Sequence, residues 1–302
     1  MAGVSFVKFS RALVLGAGGQ LGRALTDAAP AQISVTGLTR AECDIANREA
    51  VAGCLNQLNP QVVINAAAYT AVDDAEDNPD LAFATNADGP GYLAAACARA
   101  SVRLLHVSTD FVFDGGAGSP YPTDATPVPL GVYGDSKLRG EDRIQASGAD
   151  HVILRTSWLY AATGRNFVLT MLRLMQERLV VRVVNDQIGA PTMAAGLAGI
   201  CWSLALNVEA QGIFHWSDAG EITWHEFACG IRDEAISLGL LTEPVTVEPI
   251  TTAGFPTKAK RPPYSVLDAR DTAAVLGVAQ RPWREALRDM LGSLSEQGGI
   301  TQ

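Results

Sequence analysis

In the first half of the chain, short apolar runs alternate with longer segments whose apolar positions recur every three to four residues. "ALVLGAG" (12–18) reads as a strand entering a turn, and "QLGRALTDAA" (20–29) as an amphipathic helix. The pair recurs as "ISVTGLT" (33–39) with "REAVAGCLNQL" (48–58), and as "QVVINAAA" (61–68) with a helix near "DLAFATNADGPGYLAAACARA" (80–100). "VRLLHVSTD" (102–110) and "HVILRTSW" (151–158) are two further strands. Between them lie a Gly/Pro-rich loop (114–131) and a helix that contains "YGDSKLRGE" (133–141). Strand and helix in alternation predict stacked βαβ units, an α/β fold of the Rossmann type with a doubly wound parallel sheet.

After about Tyr160 the rhythm changes to a helix, "NFVLTMLRLMQER" (166–178), a strand, "LVVRVV" (179–184), and mixed segments ending in a Pro-punctuated tail. "AAGLAGICWSLALN" (194–207) and "GIFHWSD" (212–218) look like a helix and strand returning to the first lobe. The expected division is residues 1–160 as a dinucleotide-binding domain, completed by segments near 194–218, and 161–302 as a smaller, interleaved C-terminal lobe.

Composition narrows the classes. With 302 residues, 48% hydrophobic and 18% charged, the chain is long enough for a large core and too apolar for dominant disorder. A formal charge of −9 argues against nucleic acid or an anionic membrane and favours small-molecule partners. Five cysteines, Cys43, Cys54, Cys97, Cys201 and Cys229, are scattered without CxxC spacing and are expected to be reduced, buried small residues. The N-terminal stretch carries Lys8 and Arg11 inside its apolar segment, unlike a signal peptide, and no apolar run spans a bilayer. A cytoplasmic location is expected.

Candidate chemistry starts at Gly16, Gly19 and Gly22, with Gln20 and Leu21 between the last two. A glycine-rich turn between strand and helix allows close backbone approach to a pyrophosphate, which the free N–H groups of a helix N-terminus then bind. Leu21 stands where GxGxxG requires glycine, so GxxGxxG describes the spacing better. The second strand ends at Thr39 and Arg40, followed by Glu42. A base there favours a 2'-phosphate, which tilts the expectation to NADPH with NADH as the alternative. Ala66, Ala67 and Ala68 end the third strand with small residues that let a cofactor lie against backbone. Ser108, Thr109 and Asp110 end the fourth, where a hydroxyl can stabilise charge on a reacting carbonyl oxygen. Tyr133 and Lys137, at i and i+4, share a helix face. A cation beside the phenol is expected to lower its pKa. Arg139, Glu141 and Asp142 are expected to lie off that face as solvated or packing charges.

In this order the motifs resemble the extended short-chain dehydrogenase/reductase superfamily. "GGQLG", "NAAAYTAVDDAE", "STDFVFDG", "YGDSKLRGE", "RTSWLY", "NDQIGAPT" and "KRPPYSVLD" look more closely like the dTDP-4-dehydrorhamnose reductases, from about Leu13 to Trp283. The resemblance implies reduction of the C4 ketone of dTDP-4-dehydro-L-rhamnose to dTDP-L-rhamnose, the last step of that sugar donor's synthesis. It implies Gly19, Gln20, Leu21 and Gly22 at the pyrophosphate, Asp44 and Ile45 at the adenine, and Ala67, Tyr69 and Thr70 along the cofactor. Tyr133 would be the proton donor, Lys137 would hold the nicotinamide ribose, and Thr109 would touch the reacting oxygen. Asp110 and Trp158 would contact the dTDP-sugar, and the lobe 161–302 would bind the sugar nucleotide.

Three positions depart from the family pattern. Phe111 stands where tyrosine is common, and Pro263, Tyr264 and Ser265 replace part of "RPxNS". Ala24 stands where some members place a glutamate that holds Mg²⁺ at a dimer interface. A methyl group cannot ligate a hard cation, so Mg²⁺ is not expected, and the oligomer is left as monomer or homodimer. Phe111 also replaces the Glu of an Asp-Glu dehydratase pair, which disfavours dehydration. Another sugar-nucleotide epimerase or reductase remains an alternative, as does a non-catalytic NADP-binding regulatory subunit like the methionine adenosyltransferase β subunit.

Overall fold

The computed structural model describes residues 9–243 and 245–296. The N-terminal stretch read through Lys8 lies outside them. The chain runs β1 (Arg11–Leu15), α1 (Gln20–Asp27), β2 (Ser34–Leu38), α2 (Arg48–Leu58) and β3 (Val62–Asn65). There follow α3 (Val72–Asp77), α4 (Pro79–Phe83), a π-helical turn (Ala84–Asp88), α5 (Gly89–Ala100), β4 (Arg103–Thr109), α6 (Val132–Gln145) and β5 (His151–Thr156). The strands β1 to β5 join β10 (Gly212–His215) in one parallel sheet of order β10-β5-β4-β3-β1-β2. The chain moves outward from β1 to β2 and then returns to the other side at β3. In open α/β sheets ligands bind at this reversal, outside the carboxyl ends of the strands.

Strand side chains alternate between faces, and the sheet buries both. Val14, Ile64, Leu105 and Leu154 pack against α1 and α8 (Ala194–Leu206), while Leu13, Val63, Leu104 and Ile153 pack against α2 and α5. Helix α8 therefore packs on this sheet and β10 adds a strand to it. The helix expected near residues 80–100 runs unbroken from Pro79 to Ala100, with a π-helical turn inside it. Pro79 starts α4, and the π turn at 84–88 inserts an extra residue's worth of backbone before α5.

A separate core forms from α7 (Phe167–Glu177), β7 (Val180–Val184), α9 (Trp224–Ser237), β12 (Thr246–Ile250) and α11 (Trp283–Glu296). Its helices carry their own stops and starts. Asn166 caps α7 by accepting from Leu169 N at 3.0 Å, and Thr223 with Glu226 forms a reciprocal capping box on α9. Three two-stranded pairs tie the region together: β6 (Leu159–Tyr160) with β9 (Thr192–Met193), β8 (Ile188–Gly189) with β11 (Ile222–Thr223), and β7 with β12. Helix α10 (Arg270–Leu276) falls in sequence between β12 and α11 of this second core yet packs on the sheet side. Among the described residues no helix is long and apolar enough to cross a membrane.

Candidate active site

A cleft of about 890 Å³ opens over the carboxyl ends of β1, β3 and β4. Its walls include every residue expected from the sequence to bind or react: Gly16, Gly19, Gln20, Leu21, Gly22, Arg40, Asp44, Ile45, Ala67, Tyr69, Thr70, Thr109, Asp110, Tyr133, Lys137 and Trp158.

The glycine turn fits a dinucleotide. Gly16 has φ +81°, and a Cβ there would sit 2.6 Å from Ala67 N, so only glycine lets β1 run against the end of β3. Gly22 lies so close to the Gly16 carbonyl that no side chain fits between helix and turn. Helix α1 starts after Gly19 with no side-chain cap and no acid in its first turn, leaving its N–H groups free for an anion. Gln20 reaches across the cleft, accepting from Asn166 Nδ2 at 2.8 Å and donating to the Arg165 carbonyl at 3.3 Å.

Just past β2, Glu42 accepts from the N–H and hydroxyl of Thr39 at 2.8 and 2.7 Å, which commits its carboxylate to the turn. Arg40 is 65% exposed and tethered to Asp44 at 3.3 Å, so its guanidinium stands at the cleft mouth with donors to spare. Tyr69 is held by Asn86, whose amide accepts from Tyr69 N at 2.8 Å and donates to Tyr69 O at 3.0 Å. The π turn is what brings Asn86 to that loop.

At the end of β4, Thr109 donates to Asp110 Oδ1 at 3.0 Å and accepts from Phe111 N at 3.2 Å. Burial pushes Asp110 up to about 6, with nearby Ser265 and then Thr109 pulling it partway back. Asp110 Oδ2 has no hydrogen-bond partner, and neither does Thr85 Oγ1; both are buried and both residues line the cleft. Burial pushes the Tyr133 phenol up to about 12, against the nearby Thr109 hydroxyl, and Asp110 pushes the same way. The sequence expectation was a phenol lowered by Lys137; desolvation wins instead. Lys137, 2% exposed, donates to the Val107 carbonyl at 2.7 Å and lies 3.2 Å from His106 Nε2. Burial lowers it to about 8, opposed by Glu141.

Glu141 also corrects the sequence expectation. It is four residues beyond Lys137, on the same row of α6, and fully buried. It pairs with Arg155, whose Nη2 donates to Oε2 at 2.6 Å, and accepts the Ser108 hydroxyl. Arg139 and Asp142 are exposed charges as expected.

Several wall residues were not picked out. Trp224 stacks on Trp158 with centroids 3.5 Å apart, and Trp158 itself has φ +45°. Arg261, gripped by Asp73 at 2.7 Å, and residues 163–165 complete the rim. Phe111 meets the Tyr133 ring edge-on at 5.5 Å. Tyr264 points elsewhere, donating to Glu221 at 3.0 Å.

The chain matches the family described as RmlD substrate binding domain over residues 10–296. It is 40% identical to the dTDP-4-dehydrorhamnose reductase of Aggregatibacter actinomycetemcomitans, covering 93% of this chain and 98% of that one. The crystal structure of a Clostridium acetobutylicum dTDP-4-dehydrorhamnose reductase ortholog superposes with a TM-score of 0.88 at 37% identity, covering 94% and 99% of the two chains. That of the Bacillus anthracis enzyme in complex with NADP gives 0.87 at 35%, covering 93% and 98%. With fold, cleft and near-complete coverage in agreement, the chain belongs to the dTDP-4-dehydrorhamnose reductase family.

Proposed function

We propose that this protein uses NADPH to reduce the C4 ketone of dTDP-4-dehydro-L-rhamnose to dTDP-L-rhamnose, the last step of dTDP-rhamnose synthesis. The observation that carries the reading is the convergence of Thr109, Tyr133 and Lys137 at the end of β4, in the same cleft as the glycine turn of residues 16–22. When bound, the reduced nicotinamide supplies the hydride. The free N–H groups of α1, Gln20 and Leu21 hold the pyrophosphate; Asp44 and Ile45 flank the adenine, and Ala67, Tyr69 and Thr70 line the way between. Arg40, with Glu42 already committed to Thr39, supports NADPH over NADH.

Thr109 donates to the ketone oxygen and Tyr133 gives it a proton as negative charge develops. A phenol pushed up to about 12 stays protonated at neutral pH, the state a proton donor requires. Lys137 holds the nicotinamide ribose, and Asp110 with Trp158 orients the sugar. The unpartnered Asp110 Oδ2 suits a sugar hydroxyl donor. The proposed division is residues 1–160 with 194–218 for the cofactor and the remainder of 161–302 for the sugar nucleotide. A cytoplasmic enzyme with no nucleic-acid partner, monomeric or homodimeric and independent of Mg²⁺, completes the reading.

The test is substrate-dependent loss of NADPH absorbance with dTDP-4-dehydro-L-rhamnose. Tyr133→Phe should lower kcat by roughly 10²–10⁴-fold, the usual contribution of a positioned proton donor. Lys137→Ala should lose rate and cofactor affinity together. A folded, NADPH-binding wild type that does not turn over this sugar would sink the proposal. Activity in EDTA should equal that without it; specific rescue by Mg²⁺ would contradict the metal-free reading.

A further inference from the structure

Behind Lys137 lies a buried polar chain that the proposed chemistry does not use. Asn65 ends β3 and His106 is its register partner on β4; both are fully buried. Asn65 Oδ1 accepts from Ala67 N at 3.1 Å, which fixes the amide so that its NH₂ faces His106 Nδ1 at 3.0 Å. Nδ1 must therefore accept, and a neutral imidazole then carries its proton on Nε2. That N–H points at Lys137 Nζ, 3.2 Å away. An ammonium offers Nε2–H only another donor, whereas an amine offers it a lone pair.

His215 shows the opposite arrangement in the same molecule. Its Nδ1 lies 3.0 Å from the Tyr121 carbonyl and must donate, so Nε2 is left to accept from Arg155 Nη1 at 3.3 Å. One histidine is set to receive a cation, and the other is set against one.

We propose that Asn65 and His106 are positioning residues for Lys137: the amide fixes the imidazole as an Nε2–H donor, which favours the amine form of the lysine over the ammonium. Burial holds His106 well below its ordinary value, so it stays neutral. The other groups bearing on Lys137 are Glu141 on its own helix, which favours the ammonium but is itself paired with Arg155 from β5, and Tyr133 in the same cleft. Asp110 bears on Tyr133. The consequence is a lysine that changes charge close to working pH.

The wild-type protein tests this directly, because it holds four lysines, Lys8, Lys137, Lys258 and Lys260, and four histidines. With isotopically labelled histidine, nitrogen NMR should show His106 protonated on Nε2 and His215 on Nδ1. With labelled lysine, the signal lost in Lys137→Met should titrate near 8 in the wild type. His106 protonated on Nδ1, or Lys137 titrating with Lys258 and Lys260, would overturn the proposal. Asn65→Leu removes the donor without adding charge and frees the tautomer to switch, so the Lys137 midpoint should rise. Asn65→Asp forces Nδ1–H and should raise it further, by about one pH unit or more. A switched tautomer with an unmoved Lys137 midpoint would equally refute it. Resting on the proposed reductase reading, the basic limb of kcat/KM should move up with that midpoint in Asn65→Leu, whereas a merely structural role would lower the rate at every pH. The NMR outcomes stand whether or not this sugar is the substrate.

Discussion

Asp110 illustrates how a side chain suited to binding can cost stability. It is 2% exposed, its Oδ2 has no partner, and its pKa is pushed from 3.8 up to about 6. The folded state therefore binds more protons than the unfolded one between pH 3.8 and 6, and stability falls as pH rises through that window. Above pH 6 the ionised carboxylate costs on the order of 3 kcal/mol relative to the same group in the unfolded chain. Asp110→Asn should thus raise stability by roughly 2–3 kcal/mol at pH 8, with the gain gone by about pH 4, as urea titrations at the two pH values would show. The same variant should raise KM for the sugar nucleotide. Arg40 is a simpler case. Its exposed guanidinium is proposed to meet a 2'-phosphate, so Arg40→Ala should weaken NADPH roughly tenfold or more and NADH little. Equal losses for both cofactors, measured by fluorescence titration, would remove the basis for the NADPH preference.

Helix α6 carries Tyr133 and Lys137, the pair proposed to act on substrate and cofactor, and its anchoring was only half visible in the sequence. Tyr133 and Lys137 were legible because i, i+4 spacing is local and because they follow a glycine turn and a strand-end threonine. Glu141 was not, since an acid among Arg139, Gly140 and Asp142 looks like one more surface charge. Its partner Arg155 is fourteen residues away on β5, and only the packing of α6 on the sheet brings the two together. The π turn was hidden for a related reason: the apolar pattern of residues 80–100 continues through it, and what it accomplishes is the Asn86 contact with the distant Tyr69 loop. Breaking a buried pair strands one charge. Glu141→Gln should lower stability by about 3 kcal/mol and Tm by on the order of 5–10 °C. A Tm within a degree of wild type would show that α6 is held by its apolar contacts alone.

Across the whole molecule the cleft joins parts that differ in how far sequence can reveal them. The sheet edge arises from consecutive βαβ units, each built from contacts near in sequence, and its alternation of strands and helices was legible, though not its strand order. Trp224 and Arg261 arrive from more than sixty residues beyond the last strand-end motif, placed by a stack on Trp158 and an ion pair with Asp73, contacts that leave no periodic trace. The same long-range closure predicts how a ligand acts on stability. The sheet core and the α7–α9–α11 core are separate clusters, yet Gln20 and Asn166 bond across the cleft, and residues 163–165 face the glycine turn. A dinucleotide touching both sides stabilises the linked pair by RT ln(1 + [L]/Kd), about 2.7 kcal/mol at a hundredfold excess over Kd. For a chain of this size that is a rise in Tm of roughly 4–8 °C. Calorimetry with saturating NADPH should therefore show the whole endotherm move up by that amount as one transition. Asn166→Ala, which cuts the bond to Gln20 and uncaps α7, should split off a lower transition that NADPH moves much less. If that variant keeps a single endotherm with the full NADPH shift, the cofactor acts on one cooperative unit that does not depend on the Gln20 to Asn166 bond.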